Sequence, residues 1–306
     1  MALSVKAGTY TGDGATTKAI TGIGFLPKVV IVSATLGTGD ASATCFKTTD
    51  MSTGATGRTS NMGENGNQTT GEIDSLDADG FTVRDQKNIN TRVYYYIAFA
   101  GTSCVAGTYA GDGTDNRAIT GVGFRPKWMV TQGGTGHSFH KSTATGNTTD
   151  SAQYTTVLAD VANTIQSLDA DGFTLGNLAG GPNAAATTHY YFCLDGANVT
   201  SGTYAGNATD NRAVTGVGFT PISVLVKDTA LTNQATLRTG ESGDLSSKVR
   251  ANTAPLANAI QSLDADGFTI GTDGTVNTNL SNYYWVAFGA TPAAAAGGST
   301  LSMMGV

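Results

Sequence analysis

The chain has 306 residues, 41 of them glycine, and a formal net charge of −6. Charged residues make up 13% of it, about half of the roughly 25% usual for soluble domains, and only Glu64, Glu72 and Glu241 are glutamates. A chain short of Glu, Lys, Arg and Leu but rich in Gly, Thr, Val and aromatics is a poor helix former, which argues against helical bundles, coiled coils and βα-repeat enzyme folds. The acidic balance argues against a general nucleic-acid binder, which needs a basic face.

Residues 1–7 contain no apolar run of the secretory kind, and no stretch of about 18 apolar residues exists to span a membrane. The expectation is a protein made in a cytoplasm, with no membrane or nucleic-acid partner, that either stays there or leaves by host-cell lysis. Three scattered cysteines, Cys45, Cys104 and Cys193, predict neither a disulfide framework nor a zinc cluster.

Leu3-Ser-Val-Lys-Ala7 opens a first strand that runs into Gly8-Thr-Tyr10. Gly22-Ile-Gly-Phe-Leu-Pro27 reads as a bend, and Lys28-Val-Val-Ile-Val-Ser33 as a strand buried on both sides, because its β-branched run does not alternate with polar residues. Residues 53–71 are polar and glycine-rich and predict a surface loop. Ser75-Leu-Asp-Ala-Asp-Gly-Phe-Thr82 places a tight turn before a strand, and Tyr94-Tyr-Tyr-Ile-Ala-Phe99 closes the unit.

The same blocks then return in the same order. Gly107-Thr-Tyr109, Gly121-Val-Gly-Phe-Arg-Pro126, Ser167 to Thr174 and Tyr190-Tyr-Phe-Cys-Leu-Asp195 form a second copy. Gly202-Thr-Tyr204, Gly216-Val-Gly-Phe-Thr-Pro221, Ser262 to Thr269 and Tyr283-Tyr-Trp-Val-Ala-Phe288 form a third. A period near 95 residues is the size of a small domain rather than of a solenoid repeat. The prediction is an all-β protein of three tandem homologous β-sandwich domains, jelly-roll-like, at residues 1–101, 102–196 and 197–290, with a pseudo-three-fold arrangement and a flexible tail at 291–306. Each domain should hold seven or eight strands. The variable middle segments, residues 53–71, 137–150 and 229–252, should be its loops.

The acidic pairs Asp77/Asp79, Asp169/Asp171 and Asp264/Asp266 look like the start of a calcium loop. The bidentate Glu that such a loop needs at position 12 is missing, with Asn88, Gly180 and Thr275 standing there, and Phe follows the Gly directly. Turn chemistry is therefore the favoured reading, and the six aspartates remain weak calcium candidates. Asp112, Asp115, Asn116 and Arg117, with Asp210, Asn211 and Arg212 in the third copy, read as turn caps with a local basic partner; an ion or glycan contact is the functional alternative. His137 and His140 stand three apart on a predicted loop, His189 abuts the aromatic strand, and no His recurs between copies. Cys193 aligns with Ile97 and Val286 as a small core residue, and Asp195 falls where the other copies have Phe99 and Phe288. Phe25, Phe124, Phe219, Phe81, Phe173 and Phe268 are assigned to the core, and one Tyr of each closing pair should face a neighbouring unit or a glycan. Phosphate-loop, dinucleotide and Gly-x-Ser-x-Gly patterns do not occur, so no enzyme activity, catalytic residue or cofactor is expected.

The unit Gly-x-Tyr … Gly-Phe-x-Pro … Ser-Leu-Asp-Ala-Asp-Gly-Phe-Thr … Tyr-Tyr-x-x-Ala-Phe resembles a repeat found in virion proteins of tailed bacteriophages, in tail-associated and head-surface positions. The resemblance covers most of the chain and implies a structural protein of the virion surface, with the major capsid protein or tail proteins as partners. A capsid decoration (cement) protein that stabilises the head is the leading expectation. A tail or fibre component that binds host-surface glycans is the alternative, and a free carbohydrate-binding or adhesin module the third.

Overall fold

The computed structural model describes residues 2–34, 44–54, 58–62, 68–133, 138–145, 152–153, 161–229, 233–242, 246–249 and 256–291. The fold is all-β, built from antiparallel sheets stacked as sandwiches. Among the described residues, α-helix is confined to the single turn Gly274–Asn277. The expected tail, beyond Thr291, lies outside the described residues.

Three stretches of chain supply sheets in the same order. In the first, Leu3–Thr11 pairs with Val93–Gly101, followed by Val29–Ala34, Thr44–Thr48, Arg58–Asn61 and Gln68–Thr70; a second sheet orders Thr17–Thr21, Gly80–Arg84 and Ile73–Asp77. The second stretch orders Cys104–Ala110, Thr188–Leu194, Trp128–Gly133, Phe139–Ser142 and Ala152–Gln153, and then Arg117–Thr120, Gly172–Leu175 and Ile165–Asp169. The third orders Val199–Ala205, Asn282–Gly289, Pro221–Asp228, Thr236–Thr239 and Ser247–Lys248, and then Arg212–Thr215, Gly267–Ile270 and Ile260–Asp264. In each, the first strand lies on the last and the second on the last but one, a nesting of jelly-roll type; the third strand pairs with the other side of the last, and the remaining ladders join chain neighbours.

Two kinds of core result. The strand Val29–Ala34 shows why: its side chains alternate between faces, so Val30 and Val32 pack under the small sheet with Phe81 and Val83, while Val29 and Ile31 face the other way. On that other face all three stretches meet. Val29, Ile31, Phe46 and Phe99 join Trp128, Val130, Phe192 and Leu194, and these join Leu225, Leu237 and Phe288, in one apolar cluster. Ring centroids lie 5.2 Å apart for Phe99–Phe288, 5.3 Å for Phe46–Phe192 and 5.1 Å for Trp128–Phe288. A small apolar void of about 10 Å³ remains, lined by residues of all three stretches. The layers therefore run outward from shared core to large sheet to private core to small sheet. A linear string of non-touching units is excluded by these contacts.

Three sequence expectations need correction. The closing strands align one residue away from the Tyr-Tyr match. Tyr10 pairs with Tyr94, Tyr109 with His189 and Tyr204 with Tyr283. So Leu194, not Asp195, corresponds to Phe99 and Phe288, and Cys193 corresponds to Ala98 and Ala287 rather than to Ile97 and Val286. A one-residue shift exchanges faces; Cys193 thus lies in the private core and Phe192 in the shared one.

The mid-unit segments are not only loops. They contribute Arg58–Asn61, Phe139–Ser142 and Thr236–Thr239, with Phe139–Ser142 and Thr236–Thr239 buried throughout. Their polar side chains reach partners far along the chain: Ser60 Oγ donates to Gln132 Oε1 at 2.8 Å and Ser138 Oγ to the Asn61 carbonyl at 2.7 Å. Finally, Phe81, Phe173, Phe268 and Phe124 are buried, but Phe25 and Phe219 are only partly so. In every copy of the Gly-x-Gly-Phe bend the residue between the glycines, Ile23, Val122 or Val217, is buried.

Candidate functional site

The triplicated Asp-Ala-Asp-Gly turn has a structural task that binds two sequence blocks together. The second aspartate accepts from both glycine N–H groups of the Gly-x-Gly bend. Asp79 takes Gly22 at 3.0 Å and Gly24 at 2.6 Å, and Asp171 takes Gly121 and Gly123. Asp266 takes Gly216 at 3.2 Å and Gly218 at 2.6 Å. The two N–H dipoles hold the Asp171 carboxyl below its ordinary range. The first aspartate accepts from Ser and Thr hydroxyls on its own hairpin: Ser75 and Thr82 on Asp77, Ser167 and Thr174 on Asp169, Ser262 and Thr269 on Asp264. Every carboxylate oxygen of the six weak calcium candidates thus faces a hydrogen-bond donor. The turn's glycine is obligatory for another reason. Gly172 has φ +142°, and a Cβ there would stand 2.0 Å from the Ile119 carbonyl oxygen.

The Asp112 cluster is likewise a cap. Asp112 accepts from the Thr114 N–H and hydroxyl and from Asn183, in that order of effect, which lowers its carboxyl to about 2. Asp13 is lowered to about 2 by the Ala15 N–H, then Lys18 and Asn88. The basic residue pairs locally, Lys18 with Asp13 at 3.0 Å and Arg117 with Asp112 at 3.3 Å. Arg117 also covers the Tyr109 ring at 5.5 Å, and Arg212 the Tyr204 ring at 5.2 Å. Asn88, Asn183 and Asn277, which the sequence reading missed, stitch this cap to the far end of each unit. Their signal was present: each stands six residues before the ring stacked on Tyr10, Tyr109 or Tyr204.

The histidines do not form a pair. His137 lies outside the described residues. His140 is a strand residue, 2% exposed, whose Nδ1 accepts from Trp128 Nε1 at 3.3 Å. Burial, with Lys227 and Lys141 nearby, pushes it down to about 3. His189 stacks on Tyr109, and burial pushes it down to about 4. Cys45, Cys104 and Cys193 are buried free thiols, with Cys104 raised to about 12 by burial. Among the described residues, no group of three or more His, Cys, Asp or Glu is placed to hold a metal ion. Nor is any helix among them long and apolar enough to cross a membrane. Of the Tyr190–Tyr191 pair, Tyr190 faces into the shared core and Tyr191 into the private one.

The junctions between units differ. Lys28 Nζ donates to the Gly101 and Cys104 carbonyls at 3.1 and 3.0 Å, and Lys127 Nζ to the Gly196 carbonyl at 2.6 Å. These two tie each unit to the connector that follows. The corresponding third residue is Ile222, and there the tie comes from Thr291, whose Oγ1 accepts from the Val5 N–H at 2.7 Å and donates to the Val5 carbonyl at 3.1 Å. Beside it the first and third stretches enclose an open cleft of about 460 Å³, lined among others by Val5, Ala7, Ile222, Glu241, Leu263 and Ala290. Its lining mixes apolar residues with charged and polar ones, a combination common in binding clefts.

No protein-family model matches the chain, and no curated protein sequence is significantly similar to it.

Proposed function

We propose that this protein is a structural component of a tailed-phage virion surface, seated on the head as a capsid decoration protein. The observation that carries the reading is closure. Three stretches of like topology meet on one shared core, and Thr291 of the last is bonded to Val5 of the first. A body closed in this way turns three corresponding faces outward and suits a three-fold or quasi-three-fold position of a shell. The motif resemblance to phage virion repeats and the low charge support the same reading, since few charges need desolvating in a broad contact.

The test is to add the purified chain to heads that lack it. Binding to assembled heads, weak or no binding to unassembled capsid subunits, and heads that survive heat or low salt better with the protein than without are the expected results. Imaging that locates the chain only at the tail tip overturns the reading in favour of the glycan-binding tail component.

A further inference from the structure

The caps beside Tyr10, Tyr109 and Tyr204 differ in one respect that leaves a cation open. In the first, Asp13 Oδ1 accepts from the Ala15 N–H and Oδ2 from Lys18 at 3.0 Å. In the second, Asp112 Oδ1 accepts from the Thr114 N–H and Oδ2 faces Arg117 Nε at 3.3 Å. In the third the residue is Asn207. Its Oδ1 accepts from the Thr209 N–H at 3.0 Å, so its Nδ2 stands where the carboxylate oxygen stands in the other two. Arg212 Nη1 donates to the Ala205 carbonyl, and the guanidinium covers the Tyr204 ring at 5.2 Å, as Arg117 covers Tyr109. Two donors, Arg212 Nε and Asn207 Nδ2, are thus turned toward a place that holds an anion in the other caps. Among the described residues no carboxylate pairs with Arg212. Asp210, the nearest acid in sequence, gives its oxygens to Gln261 Nε2 at 2.8 Å and Asn211 Nδ2 at 3.1 Å.

A second departure falls on the same cap. Leu280 is 84% exposed and sits at φ +64°, a left-handed backbone that leucine rarely adopts. Its N–H donates to the carbonyl of Gly206, the neighbour of Asn207, at 2.9 Å; the same bond elsewhere is made by Thr91 to Gly12 and by Ala186 to Gly111. A threonine and an alanine there give way to a large apolar side chain that the fold leaves in water.

We propose that this cap is the attachment point for an acidic segment of a partner protein. The segment supplies the missing carboxylate to Arg212 and Asn207 and lays an apolar side chain on Leu280. A guanidinium already held flat on a ring is ready to take a carboxylate, and an arginine beside an apolar anchor is a common centre of protein interfaces. The inference rests on the virion-surface reading for the partner's being a virion protein, and it deepens that reading. A nearly three-fold body can be seated in three rotational settings; one cap unlike the others selects one of them.

The test is a nuclear magnetic resonance titration of the full chain with the blocked peptide acetyl-Leu-Asp-Leu-amide at low salt. The Arg212 Nε–H, the Asn207 side-chain amide and the Leu280 methyls should shift and saturate together, while the Arg117 Nε–H stays in place. Asn207→Asp restores the carboxylate of the other caps and should weaken the peptide at least tenfold. Leu280→Thr, which copies Thr91, should weaken it several-fold, and the peptide with Asn for Asp should not bind. No shift at Arg212, equal shifts at Arg117 and Arg212, or unchanged binding by Asn207→Asp overturns the proposal. So does glucuronate binding as tightly as the peptide with no loss on Leu280→Thr, which assigns the site to an acidic sugar. Head binding separates the two readings. If Asn207→Asp binds heads as well as the unchanged chain does, this attachment point is wrong and the decoration role stands. If the unchanged chain binds no heads, the decoration role fails and the peptide titration alone decides the site.

Discussion

The private cores and the shared core obey different rules. Where each unit packs on itself, the same residues return: Phe81, Phe173 and Phe268, and Tyr10, Tyr109 and Tyr204, each stacked on a ring of the closing strand. Where the units pack on one another, corresponding positions hold different residues. Val29, Trp128 and Ser223 stand at one register position, Phe46, His140 and Leu237 at another, and Phe99, Leu194 and Phe288 at a third. Three copies of one large side chain cannot share a single point. In a trimer of identical chains that constraint stays; a single chain is free to give each copy its own shape, and close packing then selects complementary rather than identical residues. Repetition marks self-packing, and divergence marks mutual packing.

The sharpest break of that contrast is Trp128→Ala, which removes the largest fully buried side chain. It should cost about 3–5 kcal/mol, and because the core is shared, calorimetry should still show one transition for the whole chain. Separate melting of the middle unit would mean that the three private cores stand alone.

A second way in is pH. His140 is held neutral in the folded protein, with its value lowered to about 3, whereas the unfolded chain titrates near 6.5. The unfolded state binds the proton first, so stability is full above pH 6.5 and falls as pH drops towards 3, by up to about 1.4 kcal/mol per pH unit. His140→Leu, which copies the Leu237 of the corresponding place, should flatten that part of the pH–stability curve; an unchanged slope assigns the acid sensitivity elsewhere.

Smaller effects sharpen the repetitive side. Gly172→Ala forces a Cβ against the Ile119 carbonyl at positive φ and should cost about 1–3 kcal/mol. The same change at Gly80 or Gly267 should match it, because each meets an equivalent carbonyl. Asp171→Ala, which frees two exposed glycine N–H groups, should lower the melting temperature least. Asp79→Ala and Asp266→Ala should agree with it within error, and unequal penalties would show that the three clamps are not interchangeable.

These rules also explain what could be read beforehand. The all-β class was legible because self-packing preserves residues: Gly8, Gly107 and Gly202 exist because a ring of the closing strand lies over each. The closing-strand register was misread because His189 has taken a tyrosine's place, so matching Tyr to Tyr slid the second copy by one. Ser60 and Ser138 looked like loop residues because nothing local marks a polar segment whose partners lie in another unit. The junction chemistry was invisible for the same reason: Lys28 and Lys127 are legible only as exposed cations until the carbonyls that they hold are known.

The pairing of each first strand with its unit's last strand has a consequence for synthesis. Leu3–Thr11 cannot find Val93–Gly101 until that strand has left the ribosome, and at about 5–20 residues per second this leaves an unpaired edge for some 5–20 s. Even a finished first unit then carries Val29, Ile31, Phe46 and Phe99 on a bare apolar face until the second and third units arrive. Contacts of such high sequence separation fold slowly, so newly made chains should depend on chaperones during translation far more than the small size of each unit suggests.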